Sequence, residues 1–379
     1  MSGIHLFVPM LHVRDAVGEH TRTLRDLLIA EGVESRIYSE TPDPDTADET
    51  RSYLDYSEDA APGDVLVYQM ATRSNMADWL VGRSEPVVIN YHSLTPPAYF
   101  APWNNWIARH QSLAILELRR LAPTAVLGVG VSHFDAGELR DSGCADVIVI
   151  PVANVRVPPV EPEAAAVAAL RGRQEGHPRW LSVGRLAPNK AHQHVIAALF
   201  VARATTSPAA ELTIVGSPSE PAYARALQRY VADLGMTGMV EFVSRISDVE
   251  SARYAAADVL VMLSEHEGFG VPLVEAMLYG LPVVAYAAGA VTEVVGDAGV
   301  LLDAKGPRRV AGEVASLLAD PARRQALVIA GRARPAALGL DRAGSDLVTA
   351  LRRVADRASD AAGDPVPGDC VHPGGPLSH

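Results

Sequence analysis

The chain has 379 residues, and at roughly 100–200 residues per domain that length suits two domains better than one. Apolar residues make up 48% and charged residues 21%, enough to bury two cores and far from the composition of a disordered chain. Subtracting 45 Asp+Glu from 33 Lys+Arg gives −12 and a pI near 5.5, which excludes broad contact with nucleic-acid phosphates or anionic lipid but not a small basic pocket for one phosphorylated ligand.

Taken in chain order, short apolar runs alternate with helical stretches. Residues 4–9 read as a strand and 19–32 as a helix, with Leu24, Leu27 and Leu28 at helical spacing and Gly32 in the left-handed C′ position. Further strands are expected at 35–39, 65–69, 86–90, 125–128 and 146–150, with helices at 75–81, 106–121 and 134–142 between them. Strands without apolar–polar alternation, separated by helices, predict a parallel sheet covered on both faces. The stretch 103–121 carries Trp103, Trp106, Leu113, Leu116, Arg109, Arg119 and Arg120. Its thin cationic face favours a core-packing helix over a membrane-surface one.

Residues 151–177 break the rhythm with Pro151, Pro158, Pro159 and Pro162, and read as an interdomain connection followed by a short helix. A second series then begins, with strands at 180–183, 211–215, 240–242, 259–263 and 282–286 and helices at 193–205, 222–234, 248–256, 272–278 and 308–318. A last helix is expected at 345–355 and a disordered Pro/Gly/Asp-rich tail at 360–379. The expected organisation is a first domain over 1–155, a connection over 156–178, a second domain over 179–342 and a C-terminal helix over 343–359. Two open parallel sheets in series place the best ligand site in the cleft between the carboxyl ends of their strands.

Cys144 and Cys370 form neither a disulfide framework nor a zinc-type spacing. The first strand begins by Ile4, so nothing reads as a signal peptide, and no apolar run approaches the ~20 residues of a membrane span. A cytoplasmic location is the expectation.

The densest constellation is Ser264-Glu-His-Glu-Gly-Phe-Gly-Val-Pro-Leu-Val-Glu275. A strand runs into a glycine-containing turn, and a helix starts with Pro272 near its first position, where a missing amide proton costs nothing. Its first-turn N–H groups suit an anion, and Gly268 and Gly270 let backbone approach a ligand closely. Glu267 on the turn and Glu275 one turn into the helix could grip separate parts of one ligand. The plainer alternative is a solvated loop residue and a charge that suits a helix N-terminus. The second constellation is Val183-Gly-Arg-Leu-Ala-Pro-Asn-Lys190, where Arg185 and Lys190 follow a strand and precede a helix. Two cations there suit a diphosphate, or are ordinary surface charges.

Together these strings resemble the retaining glycosyltransferase family 4 (glycosyl transferases group 1), which has the GT-B fold of two Rossmann-like domains facing across a cleft. The resemblance rests on the E-x7-E spacing of Glu267 and Glu275 in "EGFGVPLVEAM" and on "VGRLAPNK"; "VINYHSLTP" is the most family-like piece of the first half. It implies that Arg185 and Lys190 bind the diphosphate of a nucleotide-sugar donor. It places Glu267 on the sugar hydroxyls beside the Gly268, Phe269 and Gly270 backbone, and Glu275 on the ribose. It gives the amides of Leu273 and Val274 to the distal phosphate. Arg245 and Ile246 would flank the base, with Gly216 on the same rim. From the first domain, Gly18 on the loop 10–19 would close over the β-phosphate, and His92 would sit near the anomeric carbon and the acceptor. His12 and His20 are weaker candidates on that loop.

Departures from the family pattern are the single glycine in the 14–18 loop and Ala191 after Lys190, where glycine is frequent. The resemblance implies a retaining transferase in which cations and a helix N-terminus replace a metal ion. No cofactor is expected, and the one DxD string, Asp43-Pro-Asp45, reads as a solvated loop. Expected partners are a nucleotide sugar, UDP-linked by preference and GDP-linked otherwise, and a small-molecule, saccharide or glycoconjugate acceptor. Nucleic acid and stable membrane insertion are not expected, though weak peripheral association is compatible. The competing readings are a nucleotide-sugar epimerase or hydrolase, a non-catalytic sugar-nucleotide binder, and a nicotinamide-dependent dehydrogenase. The last lacks a GxGxxG after the first strand.

Overall fold

The central strands of the first domain are apolar on both faces except where chemistry intervenes, and helices between them return the chain to the same end of the sheet. In the computed structural model, which describes residues 3–12, 16–155, 157, 159–172, 177–244 and 250–363, the strands of this domain are β1 (Ile4–Val8), β2 (Ile37–Ser39), β3 (Thr50–Ser52), β4 (Val65–Met70), β5 (Val87–Tyr91), β6 (Leu127–Gly130) and β7 (Val147–Val149). They form one parallel sheet in the order β3-β2-β1-β4-β5-β6-β7. The second sheet, also parallel, has β8 (Arg179–Val183), β9 (Glu211–Val215), β10 (Val240–Val243), β11 (Val259–Met262), β12 (Val283–Tyr286) and β13 (Val300–Leu302) in the order β10-β9-β8-β11-β12-β13. The expected α/β class with two doubly wound parallel sheets is what the chain builds.

Each sheet is packed on both faces, giving two buried apolar clusters per sheet. The last helix, Ala343–Gly363, places Ala343, Leu347 and Leu351 in the cluster that also holds Ile4, Leu24 and Val67. The chain therefore returns to the first sheet after completing the second. The expected tail from 360 is helical as far as Gly363; its remainder, with Cys370, lies outside the described residues.

Several elements differ from expectation for identifiable reasons. The first helix is Ala16–Ala30, starting three residues earlier than its apolar spacing suggests. It ends as expected, with Gly32 at φ 77° and the Gly32 and Val33 amides donating to the Ile29 and Leu28 carbonyls. β6 lies two residues later than read, because Ala125 still caps the preceding turn. Edge strands β3 and β13 are only three residues each, too short for a periodicity signal. The unread helix Pro321–Ala337 lies on the surface, burying only Gly331 and Pro335, so no apolar stripe marks it. The helix Asn105–Leu121 buries Ala108, Ala114, Glu117, Leu118 and Leu121, as a core-packing helix should.

Candidate active site

In the second sheet the chain order reverses between β8 and β11, the switch point at which open α/β sheets bind ligands beyond their strand ends. The loop after β8 carries Arg185 and Lys190; the loop after β11 carries Glu267. The fold thus brings together two strings some 80 residues apart in sequence. Lys190 Nζ donates to both carboxylate oxygens of Glu267, at 2.6 and 2.8 Å. Both side chains are largely buried, which strengthens a charge-assisted pair relative to a surface one. The loops are also tied through the backbone, since the Glu265 N–H donates to the Asn189 carbonyl at 2.8 Å. A third loop, after β12, buttresses Glu267: Ala290 N–H donates to its carbonyl at 3.0 Å, and a Cβ on Gly289 would lie 2.4 Å from that oxygen.

Arg185 is exposed at the mouth of this site and makes no ion pair among the described residues. Gly216 ends β9 against the turn that bears Arg185, where a Cβ would come 2.0 Å from the Gly184 carbonyl oxygen. Backbone packing alone therefore requires glycine there. Ala191 adopts φ 53°, ψ 36° at the start of the helix His192–Thr205, which explains why glycine suits this position.

The helix Val271–Leu278 opens with Gly270 at φ 89°, and no side chain caps it. The Leu273 N–H, expected to meet a phosphate, donates to the Gly270 carbonyl at 2.9 Å in a tight first turn. Val274 and Phe269 are buried in the core of the second domain. Glu275 accepts a 2.7 Å hydrogen bond from Tyr254, whose ring stacks on Tyr279. Burial raises the Glu275 pKa, and the Tyr254 hydroxyl only partly opposes it. Arg245 and Ile246 lie outside the described residues, as does part of the loop 10–19. Gly18 is not on a loop but in the first turn of the Ala16–Ala30 helix, where a Cβ would lie 2.9 Å from the His12 carbonyl.

The first domain faces this site with the residues that follow β5. Ser93 takes φ 62°, and its hydroxyl lies 3.0 Å from His266 Nε2 of the second domain. A Cβ on Gly268 would strike Ser93 Cβ at 2.4 Å and an Asp135 carboxylate oxygen at 2.9 Å. Gly268 is small because the opposite domain rests on it. His92 Nε2 lies 2.7 Å from the Gln69 carboxamide, and its ring meets His20 edge-on at 5.0 Å. His20 is not a loop residue either; it is buried on its helix. Burial holds the His92 pKa well below its ordinary value, with His20 adding to the effect, and holds His20 down to about 4. Both rings are neutral at physiological pH.

Asp135 is a site residue that composition and motif reasoning missed. It is fully buried on the helix His133–Asp141, faces Gly268, and has its pKa raised well above the ordinary range, chiefly by burial. The Ser132-x-x-Asp135 spacing, a helix-start signature, was the available signal; the Asp135 N–H does donate to the Ser132 hydroxyl at 3.0 Å. Asp43 is engaged locally, receiving the Asp45 N–H on one oxygen and lying 2.8 Å from His12 Nδ1 with the other.

The comparisons with known proteins bear on the fold and on the second domain. Chains of the same two-sheet architecture include the sucrose-phosphate synthase of Thermosynechococcus elongatus, with a TM-score of 0.77 at 21% identity over 94% of this chain and 100% of that one. An α,α-trehalose-phosphate synthase (UDP-forming) from Burkholderia vietnamiensis superposes with a TM-score of 0.69 at 14% identity, covering 93% and 100%. The fold is GT-B. Residues 169–334, which carry both motif strings, match the family model of the glycosyl transferases group 1. Among curated relatives, a D-inositol 3-phosphate glycosyltransferase of Geodermatophilus obscurus is 32% identical over 203 residues, 51% of this chain and 44% of that protein. A GDP-mannose-dependent alpha-(1-6)-phosphatidylinositol monomannoside mannosyltransferase of Mycolicibacterium smegmatis is 33% identical over 182 residues, 45% and 47% of the two chains. The matched region thus spans just under half the length of these two relatives.

Proposed function

We propose that this protein is a retaining, metal-independent glycosyltransferase that moves a sugar from a nucleotide-sugar donor to a small-molecule, saccharide or glycoconjugate acceptor. The observation that carries the reading is the Lys190–Glu267 pair at the β8/β11 switch point, with Arg185 at its mouth. A departing nucleoside diphosphate gathers negative charge, and preorganised cations are what stabilise it. In this reading Lys190 and Arg185 take the diphosphate, and Glu267, released from Lys190, takes the sugar hydroxyls. The second domain holds the donor; His92 and the first domain meet the acceptor. A UDP-linked donor is preferred, with a GDP-linked one supported by the mannosyltransferase relative.

The test is release of nucleoside diphosphate from a panel of UDP- and GDP-sugars with saccharide acceptors. Glu267→Ala should lower turnover by roughly a hundredfold or more, the range for losing one charge-stabilising group, and EDTA should leave the wild-type rate unchanged. Full activity in Glu267→Ala would remove the site assignment. Loss with EDTA that magnesium restores would remove the metal-independent mechanism.

A further inference from the structure

Central strands of a parallel sheet are buried on both faces, so a polar side chain inside one costs desolvation unless it is used. β4 and β5 each hold one such residue, Gln69 (0% exposed) and Asn90 (1%), and the two are register partners, so their side chains lie side by side. The buried His20 covers them from its helix, and His92 follows at the end of β5. The contacts run in series: the Ala153 N–H to His20 Nδ1 at 3.2 Å, His20 Nε2 to the Asn90 carboxamide at 2.8 Å, that group to the Gln69 carboxamide at 3.1 Å, and Gln69 to His92 Nε2 at 2.7 Å.

Proton counting along this series has one solution. A main-chain N–H can only donate, so His20 Nδ1 carries no proton, and a neutral ring then carries it on Nε2. Nε2–H must meet an acceptor, so the carboxamide end of Asn90 facing it is the oxygen. The two ends of a carboxamide are nearly isosteric, so the proton count decides between them. That oxygen needs a donor from Gln69, whose facing end is therefore the nitrogen. The same nitrogen donates to His92 Nε2, which leaves the His92 proton on Nδ1. The reverse orientation, with Asn90 donating to His20, leaves that ring two accepting nitrogens and no proton.

We infer that Gln69, Asn90 and His20 are positioning residues that set the tautomer of His92, so that its Nδ1–H is offered to a ligand oxygen as a hydrogen-bond donor and His92 is not a base. The inference rests on the reading that His92 acts in transfer. It also gives the segment that follows β7 a role, because the Ala153 amide starts the series. The group recognised at His92 is an oxygen with a free lone pair, such as a sugar hydroxyl or a phosphate oxygen.

The direct test is long-range 1H–15N correlation on histidine-labelled full-length protein, which reports which ring nitrogen carries the proton. The expected result is a bare Nε2 and protonated Nδ1 for His92, with the opposite pattern for His20. A proton on His92 Nε2 overturns the inference, and the wild-type spectrum alone is enough to show it. Gln69→Glu adds a second arm, since a carboxylate can only accept and should draw the His92 proton to Nε2 while lowering kcat about tenfold, equivalent to ~1.4 kcal/mol in the transition state. An unchanged tautomer in a folded Gln69→Glu protein would also overturn the inference. If His92→Phe retains full turnover, the role of His92 fails while the tautomer result still stands, so the two failures are distinguishable.

Discussion

At the scale of single residues, what the sequence made visible was an unusual placement of charge. Two cations after one strand and two glutamates around a glycine turn after another are improbable by packing needs alone, and the fold joins Lys190 to Glu267. Asp135 was not legible, because its meaning depends on Gly268 arriving from the other domain. Its burial makes a prediction about pH. A carboxyl whose native pKa is raised keeps its proton in the folded state when the unfolded chain has lost it, so stability falls as pH rises from about 3.9 through the raised native value. The groups around it, Glu138 on its own helix and Glu293 from the second domain, act in the same direction, while Ser93 opposes. His20 and His192, held down to about 4, have the reverse sign and contribute stability that is lost as pH falls from about 6.5 to 4. Asp135→Asn should therefore raise Tm over wild type at pH 7–8, with the gain shrinking toward pH 4. A gain that does not vary with pH, or a loss at pH 7, would contradict this account of Asp135.

At the scale of elements, the helices and strands that carry an apolar pattern were readable and those that pack by backbone or by caps were not. The left-handed Ala191 shows why: the sequence departs from glycine, yet the backbone keeps the conformation glycine would take. The same limit hid the device that joins the domains. Glu293, on the short helix Val291–Val295, accepts the His133 and Phe134 amides at 2.9 and 3.1 Å and so caps a helix of the opposite domain. Capping by a carboxylate at a helix N-terminus is worth about 1 kcal/mol. Glu293→Ala should shift the balance between closed and open domains by roughly fivefold, given that 1.4 kcal/mol is tenfold. Small-angle scattering would show this as a larger radius of gyration without ligand, with the KM for the donor raised. An unchanged radius would mean that Tyr99 on the Glu265 carbonyl, Asn104 on Glu220 and the Trp103–Tyr223 contact hold the domains without it.

At the scale of the whole molecule, length and strand–helix alternation were enough for two parallel sheets, because a parallel sheet writes itself as uniformly apolar strands. Two open sheets in series also suggested a cleft between their strand ends, but not which side chains meet across it. Nothing in local patterning shows that Ser93 would meet His266, or that the last helix would return to the first sheet. The net charge of −12 is spread over the chain, while Arg185 and Lys190 both lie on the loop that follows β8 at the switch point. Among the described residues no helix is long and apolar enough to cross a membrane.

In the proposed function, the β8/β11 switch point of the second domain holds a nucleoside diphosphate. Thermal unfolding of the full chain with UDP, GDP, ADP or dTDP measures it most directly, because a ligand at a hundred times its Kd stabilises the folded state by about 2.7 kcal/mol. UDP or GDP should raise the Tm of the wild type, and the increase should disappear when Arg185 and Lys190 are both replaced by alanine. No increase with any of the four nucleotides, or an increase undiminished in the double variant, would contradict it.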